Sequence, residues 1–281
     1  MAIKASDVKK LREMTGAGMM DCKKALTEAD GDFDKAVEYL RKKGQKISEK
    51  RADREASEGS IFVAVSEDRS KAAMIELNCE TDFVARNEDF TNLGQQIAEK
   101  ALQEQPADLE ALKQLKLGER TIAQELTDAM GRIGEKVEVS KYEKMEADAI
   151  VSYLHIGGRV GVLVGFSGID GVDVDEAGKD VAMQIAAMNP MALDKDHVPE
   201  DVLKREKEIA LEQTRNDPKN AKKPEEILEK IVMGRVNKFF KENTLLNQEF
   251  VKDPSLSVEK YLASKGKDLK VTAYKRMHLG G

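Results

Sequence analysis

Three histidines, two cysteines and one glycine-rich stretch are the residues of this chain whose types best suit chemistry. His155, His197 and His278 offer imidazoles for proton transfer or metal binding, and Cys22 and Cys79 offer thiols that become nucleophiles once ionised. Their spacing argues against both uses. The histidines fall in separate segments, and the sequence has no HExxH and no cysteine–histidine cluster, so neither a metal nor another cofactor is expected. Gly157-Gly158-Arg159-Val160-Gly161 has the glycines of a phosphate cradle but sits inside a hairpin rather than between a strand and a helix, and no GxxxxGK[ST] occurs. A thiol hydrolase built from Cys79 and His155 requires two hairpins to lie side by side, and nothing marks an oxyanion hole or an orienting group. The chain is therefore not expected to be an enzyme. Cys22 and Cys79 form no CxxC pair or disulfide framework, and both read as reduced structural thiols.

The elements that carry these residues follow from composition and periodicity. At 281 residues, a few modest domains are expected rather than one core. Lys and Arg total 46 against 52 Asp and Glu, a net charge of -6 that argues against binding driven by phosphate neutralisation, so no stable nucleic-acid partner is expected. Charged residues make up 35% and aromatics 5%, without tryptophan, a balance suited to long solvated helices. The opening Met-Ala-Ile-Lys lacks the apolar run of a signal peptide and no later segment has the apolar length of a membrane span, which points to the cytoplasm.

Ser6 is positioned to cap a first helix with Val8, Leu11 and Met14 at helical spacing, stopped by Thr15-Gly16-Ala17-Gly18. A second helix starts near Met19 with Met20, Ala25, Leu26 and Ala29 as its apolar positions, and a third runs from Phe33 to Gly44. Gln45 to Gly59 has the composition of a linker or a solvated helix. Two alternating runs, 61–65 and 73–77, predict a β-hairpin, followed by a helix with Phe90, Leu93, Ile97, Ala98 and Leu102 on one face. A second hairpin over 151–154 and 160–166, followed by a helix through Val181, Ile185 and Met188, repeats the unit and implies an internal duplication. Val198 to Arg215 and Ile227 to Phe240 predict two charged helices folding back as an antiparallel pair. The last strand has Val271, Ala273, Met277 and Leu279 at one parity. The fold class is α+β and mostly helical, divided into a three-helix bundle over 1–45, a linker over 46–58, core halves over 59–140 and over 141–197 with 242–281, and a helical hairpin over 198–241.

Two stretches decide the reading. Cys79-Glu80-Thr81-Asp82-Phe83-Val84-Ala85-Arg86-Asn87 follows a strand and precedes a helix, where Phe83 either tucks into the core or projects as an anchor; burial statistics alone favour the core. Leu11 to Leu26 places adjacent Met19 and Met20 at a helix start, where flexible thioethers suit either a partner surface or the core. Together these stretches resemble the signature of the bacterial elongation factor Ts family, the exchange factors of the GTPase elongation factor Tu. Further matches occur in family order at Tyr153-Leu154-His155-Ile156-Gly157-Gly158-Arg159-Val160-Gly161-Val162-Leu163-Val164, Gly234-Arg235 and Leu245 to Asp253, so the resemblance covers nearly the whole chain.

The resemblance implies a ubiquitin-associated-like N-terminal bundle, a duplicated core and a protruding helical hairpin. It also implies that Thr81, Asp82, Phe83 and Val84 enter the GTPase domain and disturb its Mg²⁺ site. Met19 and Met20 would grip the same domain, and His155 would support that surface from the second core half, against the plainer reading of a half-exposed hairpin histidine. Elongation factor Tu, GDP-bound or nucleotide-free, is the implied partner, and the charged hairpin permits a homodimer or a heterotetramer with the GTPase. The sequence departs from the family pattern at Glu249, where proline is usual, and at Met277, where an aromatic more often follows the arginine. It also ends at Gly281, where many relatives continue into a further helix that touches the GTPase. The other reading is a ribosome- or RNA-associated helical protein, resting on Lys219, Lys222, Lys223 and the run from Gln45 to Arg54.

Overall fold

The computed structural model describes residues 3–220 and 223–281; Lys222 of the lysine group above lies outside the described residues. The chain opens with helices α1 (Ala5–Thr15), α2 (Met19–Glu28) and α3 (Phe33–Arg51). Ser6 does not cap α1, because the helix already begins at Ala5 and Lys4 holds the cap position without a side-chain bond. Gly16 ends α1 in the left-handed region at φ 68°, a conformation that costs glycine little, and its N–H returns to the carbonyl of Arg12. Asp32 caps α3 by accepting from the amide of Lys35. Val8, Leu11, Cys22, Ala25, Leu26 and Ala36 fill the small core between the three helices. Cys22 lies in this core, and Met20 lies outside it.

Helix α3 continues past Gly44, where a stop was expected, to Arg51. The reason lies in the next unit. A Cβ built on Gly131 would stand 2.9 Å from the Cα of Gly44, so the two helices meet backbone to backbone, and this packing offsets the helix cost of glycine, about 1 kcal/mol.

The first core unit runs β1 (Glu58–Val65), β2 (Lys71–Cys79), α4 (Asp82–Ala85), α5 (Glu88–Glu104), α6 (Leu109–Gln114), the two-residue strands β3 (Lys116–Leu117) and β4 (Arg120–Thr121), α7 (Ile122–Ile133) and β5 (Val137–Glu146). Gly131, the partner of Gly44, lies on α7. The second unit runs β6 (Ala149–Leu154), β7 (Val160–Ser167), α8 (Val174–Met188), α9 (Glu200–Asn216), α10 (Glu225–Asn243), β8 (Glu249–Phe250), β9 (Asp253–Ser257), α11 (Val258–Lys265) and β10 (Lys270–His278). The sheets have matching antiparallel orders, β1-β2-β5 and β6-β7-β10. In each, a hairpin is joined by a strand that arrives only after intervening helices, which is the duplication in structural form. Strand β5, absent from the sequence reading, passes through residue 140 and pairs with β2 as far as Glu146.

Alternation along the strands sorts side chains between two kinds of layer. Phe62, Ala64, Ala73, Ile75, Leu77 and Cys79 face α5 and α7 on one outer side. Val160, Val162, Val164 and Phe166 face α8 and α11 on the other. Between the sheets lie Ile61, Ala72, Met74, Met145, Ile150, Leu163 and Met277. Strand β2 is therefore buried on both faces, and its near-continuous apolar run follows. Met277 stands in this central layer with Met74 and Met145, where an unbranched thioether fills space among its like, so the departure from an aromatic has a packing reason. A register shift between Val271 and Ala273 breaks the expected parity of β10 and leaves Ala273 exposed.

The sheets approach closely because β7 offers glycine toward the other sheet. A Cβ on Gly161 would lie 2.6 Å from Ile61 Cγ2 and 2.8 Å from Met74 Sδ. Polar residues also enter this layer: Glu76 is 2% exposed. Its Oε1 accepts from Asn78 Nδ2 (2.9 Å) and from the Gly280 N–H (3.1 Å), while Oε2 faces the Lys141 ammonium at 3.0 Å without a well-aligned bond. Burial works against its charge, but these partners outweigh it and hold the carboxyl below the ordinary value of 4.5.

Helices α9 and α10 form the antiparallel pair. Their buried residues are Ala210, Thr214, Leu228 and Val236, whereas Ile209 and Met233 are exposed. Among the described residues no helix is long and apolar enough to cross a membrane.

Two outcomes are expected. Gly161→Val forces the sheets apart and lowers stability by about 1–3 kcal/mol or more in urea unfolding. Glu76→Gln weakens charge-assisted bonds and costs about 2 kcal/mol at pH 7. Since the folded carboxyl is depressed, its contribution is full above pH 4.5 and lost as pH falls through the folded value, so the gap between wild type and variant narrows in acid. Urea midpoints across pH 7 to 3 measure both terms.

Candidate partner interface

Strand β2 ends at Cys79, and the chain turns through Glu80 and Thr81 into the single helical turn α4. Thr81 is extended (φ -128°, ψ 153°) and caps that turn, its hydroxyl accepting from the Val84 amide at 3.4 Å. Val84 and Ala85 pack on the first core, and the side chain one residue before Val84, about 100° round the helical turn, points away from it. That side chain is Phe83, 82% exposed. The core placement favoured by burial statistics is thus overturned: Val84 takes the inward direction and Phe83 the outward one. Asp82 beside it pairs with Arg86 at 3.1 Å, and Asn87 caps α5 through the Asp89 amide.

The turn is held from two sides. Thr81 donates its amide to Glu135 Oε2 (3.0 Å) and its hydroxyl to Glu135 Oε1 (2.8 Å). Glu80 Oε1 accepts from Arg51 at the end of α3 (2.5 Å) and from the Lys136 amide (2.7 Å). Burial opposes the Glu80 charge, but these bonds and the nearby arginines outweigh it and hold its carboxyl below the usual range. Sequence reasoning missed Glu135, because a glutamate after a helix-ending glycine carries no pattern until the turn it meets is known.

His155 arrives at the same end of the core. Glu58 pairs with Cys79 across β1 and β2, and Arg159 from the β6–β7 connection reaches Glu58 at 3.4 Å. A Cβ on Gly158 would come 3.0 Å from Ser60 Oγ, so the two hairpins do lie side by side there. His155 is exposed, and its Nδ1 lies 3.0 Å from the Tyr153 hydroxyl. Leu154 next to it is an exposed aliphatic residue that the sequence reading passed over.

The methionines stand on the N-terminal bundle. Met19 and Met20 open α2, Met20 being 76% exposed, and Met14 joins them outside rather than on the core face of α1. Asp21, next in sequence, pairs with Lys43 of α3. From Lys43 to Arg51 the helix rises about 12 Å, so the bundle's methionines and the Phe83 turn are linked by one short rigid element. The structure thus brings Thr81, Asp82, Phe83 and Val84 together with His155 at one end of the core, and sets Met19 and Met20 on the adjoining bundle.

The arrangement disfavours a thiol nucleophile. Cys79 is fully buried, and its thiol is pushed up to about 12, first by burial and then by the charge of Glu135, so the thiolate a hydrolase needs is suppressed. Burial likewise raises the Cys22 thiol. Among the described residues no group of three or more His, Cys, Asp or Glu is arranged to hold a metal ion. What the surface does offer is an aromatic side chain and flexible thioethers on firm supports, the makings of a protein contact.

The family model for "Elongation factor TS" matches residues 80–281. The chain is 51% identical over 280 residues to elongation factor Ts of Amoebophilus asiaticus, with 100% of both chains covered. It is 48% identical over 278 residues to that of Cytophaga hutchinsonii and 46% over 279 residues to that of Christiangramia forsetii, with 99% of each chain covered. These matches include the N-terminal bundle, which the family model leaves out.

Neither cysteine is expected to react with an aromatic disulfide reagent in the native protein at pH 8, and both should react at once in denaturant. Absorbance of the released thiolate gives the count in each state.

Proposed function

The chain belongs to the elongation factor Ts family, the nucleotide exchange factors of elongation factor Tu, and we propose that it binds elongation factor Tu–GDP, disturbs the Mg²⁺ site and promotes GDP release so that GTP can enter. The observation that carries this reading is Phe83, a large aromatic presented to solvent on a braced turn with Asp82 at its side. In this role Asp82 and Phe83, flanked by Thr81 and Val84, enter between helices of the GTPase domain. Met19 and Met20 grip the same domain from the bundle, and His155 supports the surface from the second core half. The work is done by binding, and a protein-synthesis factor of this kind acts in the cytoplasm.

Exchange requires a difference in affinity: the factor must bind the nucleotide-free GTPase better than the loaded one, since equal affinity for both shifts nothing. Nanomolar nucleotide binding is worth about 12 kcal/mol, whereas burying one phenylalanine supplies about 1.5–3 kcal/mol. The wedge therefore cannot act alone. Loss of charge neutralisation at the phosphates when Mg²⁺ is displaced must supply much of the remainder, and a carboxylate beside the aromatic is suited to that task.

Phe83→Ala is expected to slow factor-stimulated release of fluorescent GDP by an order of magnitude or more in stopped flow at physiological Mg²⁺, with the fold unchanged because the side chain touches no core. Release at the wild-type rate would take Phe83 out of the mechanism.

A further inference from the structure

An exposed aromatic is an effective wedge only if its turn is fixed before the partner arrives, since ordering it on binding would consume part of the contact energy. Turn α4 is four residues long, too short to hold itself, and Phe83 makes no core contact that would steady it. Val84 and Ala85 seat one side of it on the core and Glu80 ties its approach to Arg51 and Lys136, which leaves the cap at Thr81 to set how the turn opens. Glu135 grips Thr81 with both oxygens, taking the Thr81 amide on one and the hydroxyl on the other. The hydroxyl that donates to Glu135 also accepts from the Val84 amide, so the carboxylate sets the rotamer of the residue that caps the turn. Glu135 is itself directed by Gly134, which ends α7 in the left-handed region at φ 82°, and by β5, which begins two residues later.

We propose that Glu135 is a positioning residue: by holding Thr81 at two points it fixes the α4 turn so that Phe83 and Asp82 meet the GTPase already oriented. This rests on the exchange reading above but concerns a residue outside the contact surface proposed there. Glu135 acts through Phe83, so its effect must depend on Phe83 being present, whereas a merely structural role would not.

Two measurements test it. The first is the saturating rate of fluorescent GDP release from elongation factor Tu for wild type, Glu135→Ala, Phe83→Ala and the double variant. Glu135→Ala should lower that rate about tenfold in the wild-type background and less than twofold in the Phe83→Ala background. Glu135→Gln, which keeps the size and one acceptor oxygen, should recover part of the rate, and it serves under the same criteria if Glu135→Ala fails to fold. An unchanged rate, or a full loss that persists without Phe83, overturns the proposal. The second uses the lack of tryptophan in the chain. With Phe83→Trp as the sole indole, the slow component of its anisotropy decay should fall when Glu135→Ala is added; an unchanged decay refutes the clamp whatever the exchange rates show. If Phe83→Ala leaves release unchanged while the anisotropy still falls, the exchange reading has failed and the clamp has not.

Discussion

Two three-stranded sheets lie face to face, and the distance between them is set by the glycines of β7, above all Gly161, which leaves room for nothing larger than hydrogen beside Ile61 and Met74. Most of the remaining architecture depends on this contact. It places the two hairpins side by side, so that the β6–β7 connection reaches Glu58 and Ser60 near the end of the first sheet. It buries β2 on both faces and makes that strand the rigid base from which the Cys79-Glu80-Thr81 turn departs. It also buries Glu76, where its charge is held by Asn78, the Gly280 amide and Lys141.

Much of this was legible in the sequence because the hairpins carry strong alternation and the helices that cover them show one apolar face. What escaped has physical causes. Strand β5 is an edge strand in which Glu138, Lys141, Glu143 and Lys144 are interleaved with Val137, Val139 and Met145, and its register with β2 shifts between Glu76 and Leu77, so its alternation is blurred. Gly44 read as a helix stop because local propensity says so; only the approach of Gly131, nearly ninety residues on, explains why the helix continues.

The candidate site was legible in a different way. The residues of the Thr81 to Val84 turn stood out through resemblance, while the direction of Phe83 did not follow from residue type, which favours burial. Direction is a property of the turn: once Thr81 caps α4 and Val84 faces the core, Phe83 has nowhere to go but outward. Glu135 could not be found from sequence at all, since it lies 54 positions from Thr81 and belongs to no motif.

The meeting of Gly44 and Gly131 bears on how the molecule engages anything at that end. With α3 seated directly on α7 and tied at its tip to Glu80, the bundle is held on the core by packing and an ion pair as well as by the non-helical stretch 52–57. In the proposed role the bundle and the core turn act as the two jaws of a caliper with a fixed gap. Once one jaw is seated, the other is presented at a high effective concentration, so two individually weak grips can multiply into a strong one. The same rigidity makes the pair selective, because a surface with its two footholds at any other separation receives only one of them.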